Sequence, residues 1–181
     1  MAGILKVDQI QNSAGGSIAL PGYVIQVQSA NFTGTQTTTS QNYTDITDLS
    51  ITMTPASTSS KFFISCSIAA SNSDHFTYLR FVRNGSAILQ PDGAGSFSRA
   101  TSHFSFQSHA SNSSGHQLFH LPAQCLDAPT TTSPVTYKVQ MHIRNDGAGT
   151  AYINRTPRDL NNAGSYDARA TSTLTVMEVA G

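Results

Sequence analysis

The amino-acid sequence predicts an all-β fold, an antiparallel jelly-roll sandwich with a short extended N-terminal arm, and three observations support this prediction. Charged residues fill only 11% of the 181 positions, Glu178 is the only Glu, and the only lysines are Lys6, Lys61 and Lys138. An all-α fold is excluded, because helices favour Glu, Lys, Ala and Leu. Ser and Thr instead fill about a quarter of the positions. Apolar residues alternate with polar ones between turn signals, which is typical of sandwiches and jelly rolls.

Residues 1–20 differ from the rest of the chain. Four apolar side chains, Ile4, Leu5, Val7 and Ile10, precede an Asn-Ser-Ala-Gly-Gly stretch that favours turns. Four such residues cannot form a core, so this arm is either disordered or docks on another surface. We therefore divide the chain into an arm of residues 1–20 and a sandwich domain of residues 21–181. The alternative is an arm that folds back on its own sandwich.

The clearest strand pattern covers residues 135–144. Five apolar residues alternate there with five polar ones, which predicts one buried face and one solvated face. The Asn-Asp-Gly sequence that follows predicts a turn, so residues 135–144 and 150–155 are expected to form a hairpin.

A second hairpin is predicted at Asn84-Gly85, between strands at residues 75–83 and 87–90, since both turn residues tolerate positive φ. Hydroxyl-rich residues 37–40 and 57–60 are expected to be solvated connectors. Further strands are predicted at residues 23–28, 46–53, 62–68, 103–106, 117–121 and 171–179.

Two cysteines, Cys66 and Cys125, are too few for a disulfide framework. Both lie in apolar, strand-like surroundings, which favours buried, reduced thiols in a protein made in a cytoplasm. The alternative is a Cys66–Cys125 bridge.

The balance of charge limits the classes of partner. Ten basic and ten acidic residues give a net charge of zero and a pI near 7.0, which removes the driving force for non-specific binding to nucleic acid or to an anionic membrane. No apolar run approaches the ~20 residues that span a bilayer. The first residues show no signal-peptide pattern. We expect no nucleic-acid binding and no membrane insertion.

The residues that could carry catalysis or bind a metal follow no recognisable motif, which indicates a non-enzymatic protein without a cofactor. His116 and His120 have the i,i+4 spacing of zinc ligands on a helix, but their surroundings read as a strand, where the two would lie ~13 Å apart. The sequence contains no GxSxG motif, and its aspartates mostly occupy turns. A loop calcium site, for instance at Asp74 or Asp92, and a carboxylate pair for glycan cleavage are the alternatives left open.

Several segments resemble a known group of proteins. The opening AGILKVDQIQNSAGG is similar to the leader of structural and tail-fibre-like proteins from marine and cyanobacterial tailed phages. The remainder resembles a domain common in those phages and similar in layout to the C1q/TNF-like jelly roll. The matching segments are TDITDLSITMTPASTSSKFFISCSIA, YLRFVRNGSAI, SPVTYKVQMHIRN, TAYINR and STLTVMEVAG.

The resemblance implies a protein of the phage virion, assembled in the cytoplasm of a bacterial host. The implied function is host attachment by a trimeric short tail fibre or receptor-binding tip. Its partners would be further copies of itself, tail, baseplate or capsid proteins, and a host surface glycan or outer-membrane protein. A capsid decoration or head-fibre protein is the alternative, followed by a lectin-like or glycan-cleaving domain. Ile4, Leu5, Val7 and Ile10 are the expected virion anchor.

Two groups of candidate binding residues follow. The last strand carries apolar residues on both faces, which predicts that one face meets the core and the other a threefold axis. The alternative is a central strand in a monomer. The expected trimer-interface residues are Leu174, Val176, Met177 and Val179. Loops on a rigid scaffold are the usual place for binding residues, and the candidates for receptor binding there are Asp92, His109, His116, Arg158 and Tyr166.

Overall fold

The described part of the chain is built from β-strands and contains no helix. The structure, a computed structural model, describes residues 22–73, 76–93, 100–107, 115–144, 149–161, 164 and 166–181. The predicted arm, with Ile4, Leu5, Val7 and Ile10, and the candidate His109 lie outside these residues. None of the described segments forms a helix long and apolar enough to span a bilayer.

Two antiparallel sheets form a β-sandwich-like body. In the first sheet, β4 pairs with β11 and β10 along one side and with β8 along the other, β1 pairs with β11, and β2 pairs with β10. The second sheet has the order β3-β9-β5-β6, and β7 also pairs with β5. The strands are β1 (Val24–Phe32), β2 (Gln36–Thr38), β3 (Thr44–Met53), β4 (Lys61–Asn72), β5 (Phe76–Arg83), β6 (Ser86–Ala87), β7 (Phe104–Gln107), β8 (Phe119–Asp127), β9 (Val135–Ile143), β10 (Ala151–Ile153) and β11 (Ser172–Val179).

The predicted strands each overlap an observed strand, and one predicted hairpin is confirmed. Asn84 and Gly85 have φ of 49° and 82°, and the strands that flank them, β5 and β6, pair with each other. The hairpin predicted from residues 135–144 into 150–155 is wrong, because β9 belongs to the second sheet and β10 to the first. The expectation of a solvated connector at 37–40 is also wrong in part, since β2 pairs with β10 there.

The core lies between the sheets and follows the predicted alternation. Phe62 and Ile64 of β4 and Tyr137 of β9 are buried, and the rings of Phe62 and Tyr137 lie 5.5 Å apart. The hydroxyl of Tyr137 donates to Asp127 Oδ2 at 2.8 Å, and Arg83 donates to the same carboxylate. Asp127 belongs to the first sheet and both donors to the second, so these bonds join the sheets at one end.

Glu178, the only Glu of the sequence, is buried on the core side of β11. Its carboxylate accepts hydrogen bonds from Gln26 Nε2 at 2.5 Å and from the backbone N–H of Ala56 at 2.6 Å. Burial raises the pKa of Glu178, but the hydrogen bonds from Ser60, Gln26 and Ala56 outweigh it and hold the pKa below its ordinary value. The ionised carboxylate therefore ties the loop before β4 to β1 and β11.

Asn154, which follows β10 with a φ of 62°, is fully buried. Its Nδ2 donates to the carbonyls of Phe32 and Gly34, both at 2.8 Å, and its Oδ1 accepts from Ser172 Oγ at 2.6 Å. Its backbone N–H donates to the carbonyl of Ala69 at 2.8 Å. The end of β1, the second half of β4 and the start of β11 thus meet at one buried residue.

Cys66 and Cys125 are both buried, as predicted, and both are free thiols. Cys66 lies opposite Ala123 and Cys125 opposite Ile64, so the two cysteines are diagonal neighbours on β4 and β8. Burial raises the pKa of each thiol to about 12, which keeps both protonated and unreactive at neutral pH.

Truncation of a core residue on β11 tests whether one face of that strand belongs to the core and the other to the surface. Leu174→Ala is expected to lower the free energy of unfolding by about 2–5 kcal/mol, because it leaves a cavity in the core. Thr173→Ala, one position away on the other face, is the matched control and should change it by less than about 1 kcal/mol. Urea denaturation at one protein concentration measures both, and equal effects would contradict the core assignment.

Candidate functional site

Three of the five predicted receptor-binding residues lie together. His116 precedes β8, whereas Arg158 and Tyr166 belong to the segment that joins Asn154 to β11, and hydrogen bonds or ring contacts connect all three. We call this group, together with Asp159, Asp167 and Arg169, the loop cluster. Asp92 is exposed in the segment after β6.

Asp167 is the centre of the loop cluster, and its side chain is almost fully buried. Its Oδ1 accepts from Thr156 Oγ1 at 3.0 Å and from His116 Nδ1 at 3.1 Å, while its Oδ2 accepts from the backbone N–H of Leu160 at 3.2 Å. Burial raises the pKa of Asp167, but these hydrogen bonds and the charge of Arg158 outweigh it and lower the pKa below its ordinary value. An ionised carboxylate here orients donors and does not deliver a proton.

His116 lies between Arg158 and Asp167. Arg158 Nη1 lies 3.0 Å from His116 Nε2, and only the arginine can donate in that pair. His116 Nε2 is then the acceptor, and Nδ1–H donates to Asp167. The neighbours thereby select one neutral tautomer of the imidazole.

An ion pair between Arg169 and Asp159 lies on the other side of the loop cluster. Arg169 donates from Nε and Nη2 to the two oxygens of Asp159, at 2.9 and 2.8 Å. Arg155 Nη1 lies 3.4 Å from Asp159 Oδ2, and the Arg155 guanidinium lies over the ring of Tyr152, 4.6 Å from its centroid. These contacts hold the pKa of Asp159 below its ordinary value, chiefly through the hydrogen bonds from Arg169.

The chain passes close to Arg158 at Gly115, because a glycine has no side chain. Its φ is +64°, and a Cβ at this position would lie 2.7 Å from Arg158 Cγ. The backbone N–H of Arg158 donates to the carbonyl of Gly115 at 3.3 Å. A glycine is required here by both the backbone conformation and the space.

A recess of about 440 Å³ opens beside the ion pairs. It is lined by Asp159, Leu160, Asn161, Asp167 and Arg169. The recess therefore presents carboxylate, amide, guanidinium and apolar groups within one small volume.

The residues predicted for the trimer interface divide between the two faces of β11. Leu174 and Val176 are buried in the core of the single chain, so another copy cannot contact them. Met177 and Val179 lie on the outer face of the first sheet and are partly exposed. Alternation of side chains along a strand accounts for the division.

The outer face of the first sheet carries a continuous line of apolar side chains, which we call the apolar row. The strand register places Val27 of β1 opposite Met177, Met177 opposite Phe63 of β4, and Phe63 opposite Leu126 of β8. Val27 is 52% exposed and Leu126 is 50% exposed. The adjacent line across the same strands is hydroxyl-rich and consists of Ser29, Thr175, Ser65 and Gln124.

The two histidines with zinc-like spacing do not meet. His120 lies in β8 opposite Ala69, whereas His116 lies before that strand and contacts Asp167. The described residues hold no group of three or more His, Cys, Asp or Glu side chains that could bind a metal ion.

Sequence reasoning missed Asp167, Asp159 and Arg169. The two aspartates are expected only to stabilise turns, and Arg169 is not among the candidates. Each carboxylate nevertheless lies one or two residues from an arginine or a candidate binding residue. The signal that could have indicated them is this dense alternation of Arg and Asp around a polar loop.

Sequence reasoning also missed an aromatic group on the outer face of the second sheet. The rings of Tyr78 and His142 stack with centroids 4.8 Å apart, and Tyr43 meets His142 edge-on at 4.3 Å. The guanidinium of Arg80 lies 3.8 Å from the centroid of Tyr43, and Arg80 also donates to Gln140 Oε1. Burial lowers the pKa of His142. The rings, the guanidinium and the amide of Gln140 thus contact one another across neighbouring strands.

Comparison with known proteins finds no family model that matches the chain and no curated protein that matches it. The function therefore has to be inferred from the fold, the apolar row and the loop cluster.

The hydrogen bonds to Asp167 predict a pH-dependent stability. A carboxyl group whose pKa is lower in the folded state than in the unfolded chain stabilises the fold above about pH 4, and this contribution is lost as the pH falls through the folded pKa. Asp167→Asn should therefore lower the melting temperature most at neutral pH, and the difference from wild type should shrink toward about pH 3.

Thermal unfolding across this pH range measures the effect. Asp48→Asn is the matched control, because Asp48 is exposed, and its difference from wild type should stay small throughout. A difference for Asp167→Asn that does not change with pH would contradict the assigned role of the carboxylate.

Proposed function

We propose that this chain is a structural protein of a tailed-phage virion, a trimeric short tail fibre or receptor-binding tip used for host attachment. The apolar row carries the proposal, because it gives a single chain a surface suited to further copies of itself. The strand order, the position of the loop cluster and the resemblance of the sequence to phage structural proteins support it.

The strand order supports a C1q/TNF-like jelly roll within the β-sandwich-like body. A jelly roll consists of eight antiparallel strands in two sheets. The strands β1, β4, β8 and β11 belong to the first sheet. Between them in the chain come strands of the second sheet: β3 after β1, β5 and β7 after β4, and β9 after β8. Most connections therefore cross from one sheet to the other, as in a jelly roll built from two Greek keys.

The apolar row supports assembly around the outer face of the first sheet. It extends across four neighbouring strands, and its two ends, Val27 and Leu126, are each half-exposed in the single chain. Contiguous exposed apolar surface marks interaction sites. The small hydroxyl side chains beside the row would let backbones of neighbouring copies approach closely. We propose three copies of this chain around one axis, with Met177 and Phe63 closest to it.

The two ends of the first sheet differ in a way that suits a fibre tip. The chain enters the described body at Gly22, whose N–H donates to the carbonyl of Ala180 at 2.8 Å, beside the apolar row. The loop cluster follows Asn154, which binds the opposite end of β1 at Phe32. Gly22 and the loop cluster are thus separated by the length of β11, roughly 25 Å for eight residues. An arm could attach to the virion while the loop cluster faces the host.

A charge placed in the apolar row tests the trimer. The wild-type protein is expected to sediment at three times the 19.2 kDa of one chain. Leu126→Lys should shift the protein toward 19.2 kDa, because a lysine in a desolvated contact has no partner there. Leu89→Lys is the matched control, since Leu89 is similarly exposed at 56% but lies outside the row, and it should leave the mass unchanged.

Sedimentation velocity distinguishes the outcomes. A wild-type mass of 19.2 kDa, or a Leu126→Lys protein as heavy as wild type, would contradict assembly through the apolar row.

The position on the particle tests the virion function. Gold-labelled antibodies against the purified protein should bind the tails of phage particles in electron micrographs, because attachment requires the loop cluster to face the host. An antibody against an unrelated protein is the control. Label over the head would support the decoration protein instead, and unlabelled particles would contradict a virion function.

A further inference from the structure

The recess in the loop cluster is built as a fixed surface. Both carboxylates that line it, Asp159 and Asp167, are held by hydrogen bonds from arginine, histidine, threonine and backbone donors. Asp167 is nearly buried, whereas the side chain of Arg169 is 67% exposed. A ligand would therefore meet groups whose positions are already fixed, which lowers the entropic cost of binding.

Two large side chains of the loop segment that lines the recess are exposed. Leu160, which lines it, is 53% exposed, and Tyr166, which precedes Asp167, is 67% exposed. The Tyr166 ring lies 5.6 Å from the His116 ring and packs against Gly164, where a Cβ would collide with it. The tyrosine ring is thus held in place while most of its surface faces solvent.

The charges in the recess limit the class of ligand. Asp159 is paired with Arg169, whereas Asp167 accepts a hydrogen bond from His116 and lies 3.8 Å from Arg158 Nε. An anion such as phosphate would meet two carboxylates, and a cation would meet the guanidinium of Arg169. A neutral ligand with many hydroxyl groups avoids both conflicts, since hydroxyls both donate to carboxylates and accept from guanidinium and amide groups.

We infer that this recess binds a neutral saccharide unit of the host surface. The hydroxyl groups of the sugar would bond to Asp159, Asn161 and Arg169, and the apolar face of its ring would pack on Tyr166 or Leu160. A recess of about 440 Å³ lies within the size range of small-molecule sites, roughly 300–1,000 Å³. This inference deepens the proposed function and rests on it for the source of the sugar.

The chemistry favours a saccharide over a protein receptor. Protein interfaces are larger and centre on a buried apolar or aromatic anchor surrounded by a polar rim. Here four polar side chains line the recess, and Leu160 adds an exposed apolar group to the same lining. That arrangement suits a small ligand with a polar edge and an apolar face.

The test uses the full chain and two kinds of probe. Saturation-transfer NMR and calorimetry are carried out with the methyl glycosides of glucose, galactose, mannose, rhamnose and N-acetylglucosamine, and with neutral polysaccharide extracted from the host. Inorganic phosphate is the anionic comparison. At least one neutral saccharide should bind, and phosphate should neither bind nor displace it.

Matched variants locate the binding to the recess. Tyr166→Ala should weaken the binding of that saccharide roughly tenfold, while Tyr166→Phe should retain it, because the ring and not the hydroxyl makes the contact. Leu160→Ala should also weaken binding, whereas Leu89→Ala, which removes an equally exposed leucine elsewhere, should not. Circular dichroism confirms that each variant is folded.

The outcomes separate this inference from the proposed function. Absence of binding by every saccharide, preference for phosphate, or equal effects of Leu160→Ala and Leu89→Ala would overturn the saccharide inference. A tail-located trimer that adsorbs to cells through a protease-sensitive receptor would also overturn it and leave the virion function standing. Saccharide binding lost in Tyr166→Ala would support it even if the particles carry no label.

Discussion

The buried amide of Asn154 is the interaction on which the rest of the structure depends. Its side chain donates to the carbonyls of Phe32 and Gly34 and accepts from Ser172, which connects it to β1 and β11. The backbone N–H of the same residue donates to the carbonyl of Ala69 in β4, so three strands of the first sheet meet at Asn154. The backbone N–H of Ala170 donates to the carbonyl of Asn154 at 3.1 Å, so the chain that leaves the first sheet at Asn154 comes back to the same residue just before β11. An unpartnered amide in the core would be costly. This geometry therefore fixes where the chain leaves the sandwich and where it re-enters.

The segment from Asn154 to Ala170, whose two ends are hydrogen-bonded to each other, carries most of the loop cluster. Because both of its ends are held, its charged side chains can form specific pairs, such as Arg169 with Asp159. The opposite end of the first sheet is held by a different buried group, the carboxylate of Glu178, which binds Gln26 and the N–H of Ala56. One end of the body thus carries the recess, and the other, where Gly22 pairs with Ala180, lies beside the apolar row.

The sequence predicts the strands well, because alternation and turn residues are local signals. Val135–Ile143 could be recognised from its pattern alone, as could the turn at Asn84. The pairing of strands is not a local property, and the turn expected after residue 144 shows this, since β9 and β10 belong to different sheets. Similarly, β11 was correctly expected to be apolar on both faces, but only the structure assigns Leu174 to the core and Met177 to the surface.

The loop cluster could be predicted only in part for the same reason. His116, Arg158 and Tyr166 were candidates because they are polar or aromatic residues in loops. Asp167 was missed because its role depends on contacts with residues up to 51 positions away in the chain. Spacing in the sequence does not encode such distances, whereas glycines such as Gly115 give a local hint of a close approach.

The central claim is that the outer face of the first sheet surrounds a threefold axis, and distances between spin labels test it most directly. The buried thiols, with pKa near 12, should remain unlabelled, so one new cysteine can be labelled at a time. Thr173→Cys places the label on the outer face of β11, and Ser50→Cys places it on the exposed face of the second sheet. Pulsed electron–electron double resonance should give one intermolecular distance for each labelled protein, and the distance should be shorter at position 173 than at position 50. The absence of an intermolecular distance, or a shorter one at position 50, would contradict the claim.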